Sequence, residues 1–377
     1  MDQTMLTYYL DSLEKLGIPG CDCVIYHKHK SIFRHISGFA DSAKTKPLTR
    51  TNTYWLYSAS KIITCAAVLQ LVEKGSICLD APVSDYLPEY KNLKVKYGSE
   101  VKQAKNKMTI RHLLSMQSGM NYNLEAPSIL KVLNDNKGKA TTRQIIEALA
   151  DEPLDFEPGT HFQYSLSHDV LGAVIEEVYG QKFGIYLYEN IFKPLGMKNT
   201  GFQLSTERKS NLSDQFLFNM DTMSSELMSS ENCYVLSPNY ESGGAGLLSN
   251  VDDYMLFLDA MCNYGISNDG NRILSRTYID EMRSDQLHYI SKKDFDLRGK
   301  IGYSYGLGVR TLVEREKSGA SSPIGEFGWD SAAGAYALID VENSLAIFYM
   351  QHVRKCEYAY NVIHPRIRNL TYEMLKL

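Results

Sequence analysis

The chain lacks most of the features that announce a function. Seven cysteines among 377 residues, Cys21, Cys23, Cys65, Cys78, Cys233, Cys262 and Cys356, are scattered and odd in number. Such spacing makes neither a disulfide framework nor a zinc site, and free thiols in a reducing cytoplasm are expected. The nine histidines contain no HExxH pair and no close Cys/His cluster, so no metal is expected. Gly243-Gly244-Ala245-Gly246 is not followed by a lysine and serine, which excludes a phosphate loop. No G-x-S-x-G elbow is present, so the triad hydrolases have no support. No apolar run reaches membrane-spanning length. The opening MDQTMLTYYLDSLEKLG has neither the basic start nor the apolar core of an export signal. A formal net charge of -4 leaves no electrostatic footprint for nucleic acid. The expectation is a cytoplasmic protein without membrane, nucleic acid, metal or cofactor.

What is there is a chain with 44% hydrophobic residues, enough for a large core. Met5, Tyr8, Tyr9, Leu13 and Leu16 are spaced as the apolar face of a first helix, closed by Pro19 and Gly20. Residues 21–41 read as two strands around a tight basic turn. Residues 62–73 are mostly apolar with no proline or glycine, the mark of a helix buried on every side, and Gly75 stops it. Thr109 is placed to cap a helix through Met116, TTRQIIEALA (141–150) forms another, and 167–180 ends at Gly180. Residues 203–243, rich in Ser, Asn and Met, are a surface segment or a lid. Asp252-Asp253 caps a further helix. Strands return at 304–314, 323–330, 333–340 and 343–351 as an antiparallel meander, and the C-terminus is helical in parts despite Pro365. The predicted fold is α+β: an antiparallel sheet (1–60 with 240–377) flanked by the terminal helices, and an inserted, mainly helical domain (61–239). A cleft between them is the natural site.

One stretch asks for chemistry. YWLYSASKIITCAAVLQLVEKG, residues 54–75, sets Ser58-Ala59-Ser60-Lys61 between an aromatic run and the apolar helix. Ser58 and Lys61, three apart, share a helix face. An amine kept neutral there can take the serine proton, and the free amides of the helix start can face an oxyanion. The spacing alone is cheap: Ser12-Leu13-Glu14-Lys15 and Ser128-Ile129-Leu130-Lys131 repeat it on expected helix surfaces. Context separates Ser58 from both. A cap at Ser58 with a snorkelling Lys61 is the alternative. Tyr164, after Pro158-Gly159, is either a core phenol or part of a proton network with that pair. FGWDSAAG (327–334) is either a tight turn with a core Trp329 or an edge whose amides face a substrate. His168 reads as helix surface.

In order and spacing these segments resemble the serine beta-lactamase-like superfamily, in its class C branch of lactamases, D-Ala-D-Ala carboxypeptidases, D-aminopeptidases and lactamase-fold esterases. Ser58-x-x-Lys61 is similar to the first motif. Thr109-Ile110-Arg111-His112-Leu113-Leu114 with Ser118-Gly119-Met120 resembles the TxRHLL...SG stretch. Pro158-Gly159 to Tyr164-Ser165 resembles the run into the second motif, and Gly243 to Tyr254 the GGxGLxSxxxDY segment. Two positions depart. Leu166 stands where the second motif has asparagine, and Trp329-Asp330-Ser331 stands where the third has W-G-G or K-T-G.

The resemblance implies an acyl-enzyme hydrolase of small ester or amide substrates. Ser58 would be the nucleophile, Lys61 and Tyr164 its proton carriers, and the amides of Ser58 and Ala332 the oxyanion hole. Leu166, Trp329, Asp330 and Ser331 would line the substrate pocket. Losing the polar Asn and Lys handles disfavours lactams, so an esterase is expected. A D-amino-acid peptidase, a carboxypeptidase, a weak beta-lactamase and a catalytically silent binding protein are the alternatives. The acyl group, the leaving group and the oligomeric state are not legible.

Overall fold

Strict alternation of side chains builds the centre of the molecule. In the computed structural model, which describes residues 2–203 and 205–377, seven antiparallel strands form one sheet. They are β1 (Gly20–His27), β2 (Lys30–Gly38), β3 (Tyr303–Tyr305), β4 (Arg310–Leu312), β5 (Phe327–Asp330), β6 (Tyr336–Asp340) and β7 (Leu345–Met350), in the order β2-β1-β7-β6-β5-β4-β3. Cys23, Ile25, Leu338, Ile347 and Tyr349 face one way. Val24, Ala337, Ile339, Ala346 and Phe348 face the other. Period-2 burial on both faces needs a layer on each side.

The first layer is the terminal helices, α1 (Thr4–Ser12) and α5 (His364–Leu375). The face that α1 buries differs from the expected one. Leu6, Leu10 and Leu13 carry the core contact, while Met5 and Tyr8 are exposed. Spacings of four and three make the tighter stripe, and the amphipathic tyrosines stay at its margin. Pro365 lies within a continuous helical run, just after a π-helical stretch, Ala359–Ile363, that leads into α5.

The second layer is α2 (Ser60–Glu73), α3 (Ser167–Tyr179) and α4 (Val251–Cys262), within the larger core. Residues 60–71 of α2 are all buried, as its composition requires. Helices predominate from Ser60 to Leu195. Thr109 and Thr141 each close a capping box, with His112 and Gln144. The cap of α4 is Asn250, not the expected aspartates. Asp252 pairs with Arg34 and Arg50, and Asp253 accepts from Asn199 and Thr200.

One more expectation is corrected. Residues 304–314 form two strands, because the chain folds back at Gly306–Val309. Gly308 has φ 80° there, and a Cβ would lie 2.1 Å from Cys65 Sγ. Residues 203–243, expected as a surface segment or a lid, contain strands; Leu204 lies outside the described residues. Gln215–Asn219 and Ser224–Met228 pair as a hairpin, extended in parallel by Val353–Arg354.

Candidate active site

Ser58 sits in a single 3-10 turn, Tyr57–Ala59, that runs directly into α2. The turn is held from several sides. Tyr54–Trp55 pairs with Leu248–Ser249, and Leu56 N–H donates to the Leu247 carbonyl at 2.9 Å. Trp55, Tyr57, Leu248 and Ala333 make a small cluster around it, with Ala332 packed on its edge. Tyr57 is placed at φ 47°, a costly conformation for an aromatic residue and one common beside reactive groups. The hydroxyl of Ser58 has no protein partner among the described residues, and its side chain opens into a cleft of about 790 Å³.

Lys61 is the fully buried member, with 0% exposure. Its Nζ donates to the Gly244 carbonyl at 2.7 Å and to the Tyr122 hydroxyl at 3.4 Å. It also lies 4.6 Å from the centre of the Tyr164 ring. These bonds use two N–H groups and leave the third position of the nitrogen free. No carboxylate lies within ion-pair distance among the described residues. Burial of an amine on these terms demands a use, since desolvation opposes it.

The glycine run at 243–246 supplies the wall that holds this amine. The Gly243 carbonyl accepts from Thr64 Oγ1 at 2.7 Å, one turn beyond Lys61. A Cβ on Gly244 would stand 2.6 Å from Asp169 Oδ2, 3.3 Å from Lys61 Nζ and 3.4 Å from the Tyr122 hydroxyl. Three functional groups thus converge on one point that only glycine leaves open. Asp169 is buried at 1% exposure, and its Oδ1 accepts from Tyr240 at 2.8 Å and Ser242 at 2.6 Å. Burial pushes its carboxyl above the ordinary range, against the hydrogen bond from Ser242 and the charge of Lys61.

Tyr164 is half-buried on the opposite wall. Its hydroxyl accepts the Trp329 Nε1–H at 3.0 Å, which leaves its own proton free to donate. Its ring stacks between Trp329, with centroids 5.6 Å apart, and Tyr122, at 5.7 Å. Desolvation, with Asp169 and Tyr164 adding to it, holds the Tyr122 phenol well above its usual range, so it stays protonated. The Arg298 guanidinium covers the Tyr164 ring at 4.7 Å. The 3-10 turn also packs against β5. Ala332 lies past the end of β5; its N–H and that of Ser58 have no protein acceptor among the described residues, and both residues line the cleft.

The expected site residues therefore fall into two groups. Ser58, Tyr164, Trp329, Asp330, Ser331 and Ala332 share the cleft, with Lys61 behind its floor. Leu166 does not join them. At the entry to α3 it turns into the apolar core at 3% exposure. The charge of Asp330 is not offered to the cleft either, because Lys300 and Arg310 pair with it. The Ser331 hydroxyl accepts from Ala335 N–H and shapes the turn after β5. His168, expected on a surface, is wholly buried with Nε2 3.0 Å from Cys65 Sγ. Tyr122, Asp169, Tyr234 and Arg298 were not singled out from sequence. Each reaches the site across a long chain separation, and only the Asn-Tyr-Asn around Tyr122, just after Ser118-Gly119-Met120, gave a local hint.

Comparison with known proteins decides what this geometry belongs to. The Beta-lactamase family model matches residues 9–358. The chain belongs to the beta-lactamase family. It is a serine-hydrolase-fold enzyme, and members of that family with diverse activities resemble it. Esterase EstB of Burkholderia gladioli is 28% identical over 93% of this chain and 91% of its own length. Two solved structures share the fold. EstCE1, described as a hydrolase with promiscuous acyltransferase activity, is 23% identical with a TM-score of 0.80, covering 97% of both chains. Simvastatin synthase LovD of Aspergillus terreus is 20% identical with a TM-score of 0.81, covering 99% of both chains.

Proposed function

We propose that this member of the beta-lactamase family is an esterase that works through an acyl-serine. The observation that carries the reading is the amine of Lys61, buried without a carboxylate partner one helical turn from an unpartnered Ser58 hydroxyl. Ser58 Oγ attacks the ester carbonyl as its proton leaves toward Lys61 and the Tyr164 hydroxyl. The N–H groups of Ser58 and Ala332 receive the developing oxyanion. Tyr164 returns the proton to the departing alcohol, and water then repeats the sequence in reverse order to free the acid.

Ester rather than lactam selectivity follows from the third motif. Trp329 occupies the position where a lactamase presents a lysine to the drug carboxylate, and its indole N–H is spent on Tyr164. The aromatic stack and Tyr234 give an apolar, π-rich wall for an acyl chain or aryl alcohol. The likeness to Esterase EstB supports the same choice.

The test is a panel of short-acyl p-nitrophenyl esters, nitrocefin and D-alanyl p-nitroanilide on wild type and S58A. Ester turnover that vanishes in S58A and exceeds the other two by kcat/KM is expected. Higher efficiency on nitrocefin or the D-alanyl substrate replaces the esterase by a lactamase or a peptidase. Absence of any Ser58-dependent turnover leaves a binding protein on this fold.

A further inference from the structure

Strand β5 has two faces. Trp329 looks to the cleft, while Asp330 looks toward α5. On that second side lies a separate cavity of about 340 Å³. Four cationic side chains, Lys300, Arg310, Lys317 and Arg368, line it against a single carboxylate, Asp330.

Three of these cations already have a carboxylate partner, and the first is Lys317, which pairs at the rim with Glu314. Lys300 is paired with Asp330. Arg310 is enclosed, with bonds to Glu326 and the Ala337 carbonyl at 3.2 Å and to Asp330 at 3.3 Å. Its guanidinium also lies over the Tyr336 ring at 4.9 Å. Arg368 differs. It is 4% exposed and donates to the Tyr303 hydroxyl at 2.8 Å, the Gly319 carbonyl at 3.4 Å and the Asn369 side chain at 2.9 Å. No carboxylate lies within ion-pair distance of it among the described residues. Glu326, which acts on it at longer range, is already taken by Arg310. Three enclosed or half-enclosed cations thus share two carboxylates, while Lys317 at the rim is balanced by Glu314. An enclosed guanidinium without a counter-charge is expensive, and a small anion in this cavity removes the cost.

His364, 2% exposed, is part of the wall; its Nε2–H donates to the Gly334 carbonyl, so its Nδ1, 3.8 Å from Asp330, presents a lone pair and gives an anion no donor. We propose that this cavity binds a small oxyanion, a carboxylate or a phosphate monoester, with Arg368 as its enclosed charge partner and Lys317, shared with Glu314, at the rim. Gly299, Lys300, Asp330, Tyr360 and Asn361 border both this cavity and the cleft. The anion is therefore a neighbour of the cleft, and its binding does not require Ser58.

Isothermal titration with inorganic phosphate, phenyl phosphate and succinate at constant ionic strength tests the site on wild type, R368Q, K317Q, R366Q and S58A. Phosphate against succinate distinguishes the two ligand classes. Arg366 lies on the same helix, is exposed and does not line the cavity, so R366Q removes an equal charge elsewhere. Wild type, S58A and R366Q should bind alike. R368Q should lose ~10-fold or more in affinity, as for one charge-assisted hydrogen-bond partner. K317Q, a change at an exposed side chain that cannot disturb the core, should weaken binding measurably. No binding of any of the three anions to wild type overturns the proposal. So does unchanged binding in K317Q, or a loss in R366Q equal to that in R368Q. Because S58A binds normally, failure of the esterase reading leaves this result intact.

Discussion

At the scale of single residues the account rests on Lys61. K61M keeps the stem and removes the amine. Its acylation rate should fall ~100-fold or more, the worth of a positioned proton carrier, in a stopped-flow assay with a p-nitrophenyl ester. The Gly244 carbonyl loses its partner, a cost of ~1–3 kcal/mol, while the desolvation of an amine is relieved, so the melting temperature should move little. An unchanged acylation rate would mean that another base serves Ser58. Gly244 gives a second, sharper test. In G244A the new Cβ meets Asp169 Oδ2 and Lys61 Nζ at once. Displacement of the amine by a fraction of an ångström should cost ~100-fold in kcat, with KM nearly constant. A variant that retains full kcat would show that the convergence on residue 244 has no bearing on the chemistry.

At the scale of elements the site depends on how the Tyr54–Trp55 strand is held ahead of the Ser58 turn. His352, itself at φ 52°, accepts the Trp55 N–H at Nε2, 3.3 Å away, and donates from Nδ1 to the Asp214 carbonyl at 3.0 Å. That pattern requires the neutral ring. Burial lowers its pKa to about 4 in the folded chain, against ~6.5 when unfolded. A base whose folded value is depressed contributes stability that is complete above the unfolded value and is lost as pH falls toward the folded one. Urea unfolding should therefore show wild type losing stability relative to H352Q between about pH 6.5 and 4. Parallel pH dependence in the two proteins would contradict this. The same scale shows what was legible in sequence. The buried helix after Ser58, the capping threonines and the hairpin at Lys28-His29 follow from local spacing, and the structure has them all. That Ser58, Tyr164 and Trp329 line one cleft could be anticipated because their motifs sit at fixed places in the chain. Leu166 was misplaced because a motif names a position and not the direction a side chain takes at a helix entry. Asp169 and Tyr122 were missed because their partners come from residues 61 and 240–244, and no local period links segments so far apart.

At the scale of the whole molecule, two layers on one sheet give the protein two unlike halves. The helical layer against Val24, Ala337 and Phe348 carries the cleft, and the terminal helices against Cys23, Leu338 and Tyr349 carry the charged cavity. β5 joins the two by pointing Trp329 one way and Asp330 the other. Burial raises the Asp330 carboxyl, but Lys300 and Arg310 outweigh it and hold the group well below its ordinary range. Its contribution to stability should be complete above ~4 and fade as pH falls below that, so D330N should lack the steep acid limb of wild type in thermal unfolding followed from pH 5 downward. An identical limb in both proteins would place the acid sensitivity elsewhere. The central claim concerns Ser58, and covalent labelling tests it most directly. Folded wild-type protein exposed to a fluorophosphonate probe should gain one probe mass, peptide mapping should place it on Ser58 and not on Ser12 or Ser128, and S58A should gain none. Folded wild type that never gains the mass, or carries it on another residue, contradicts the account.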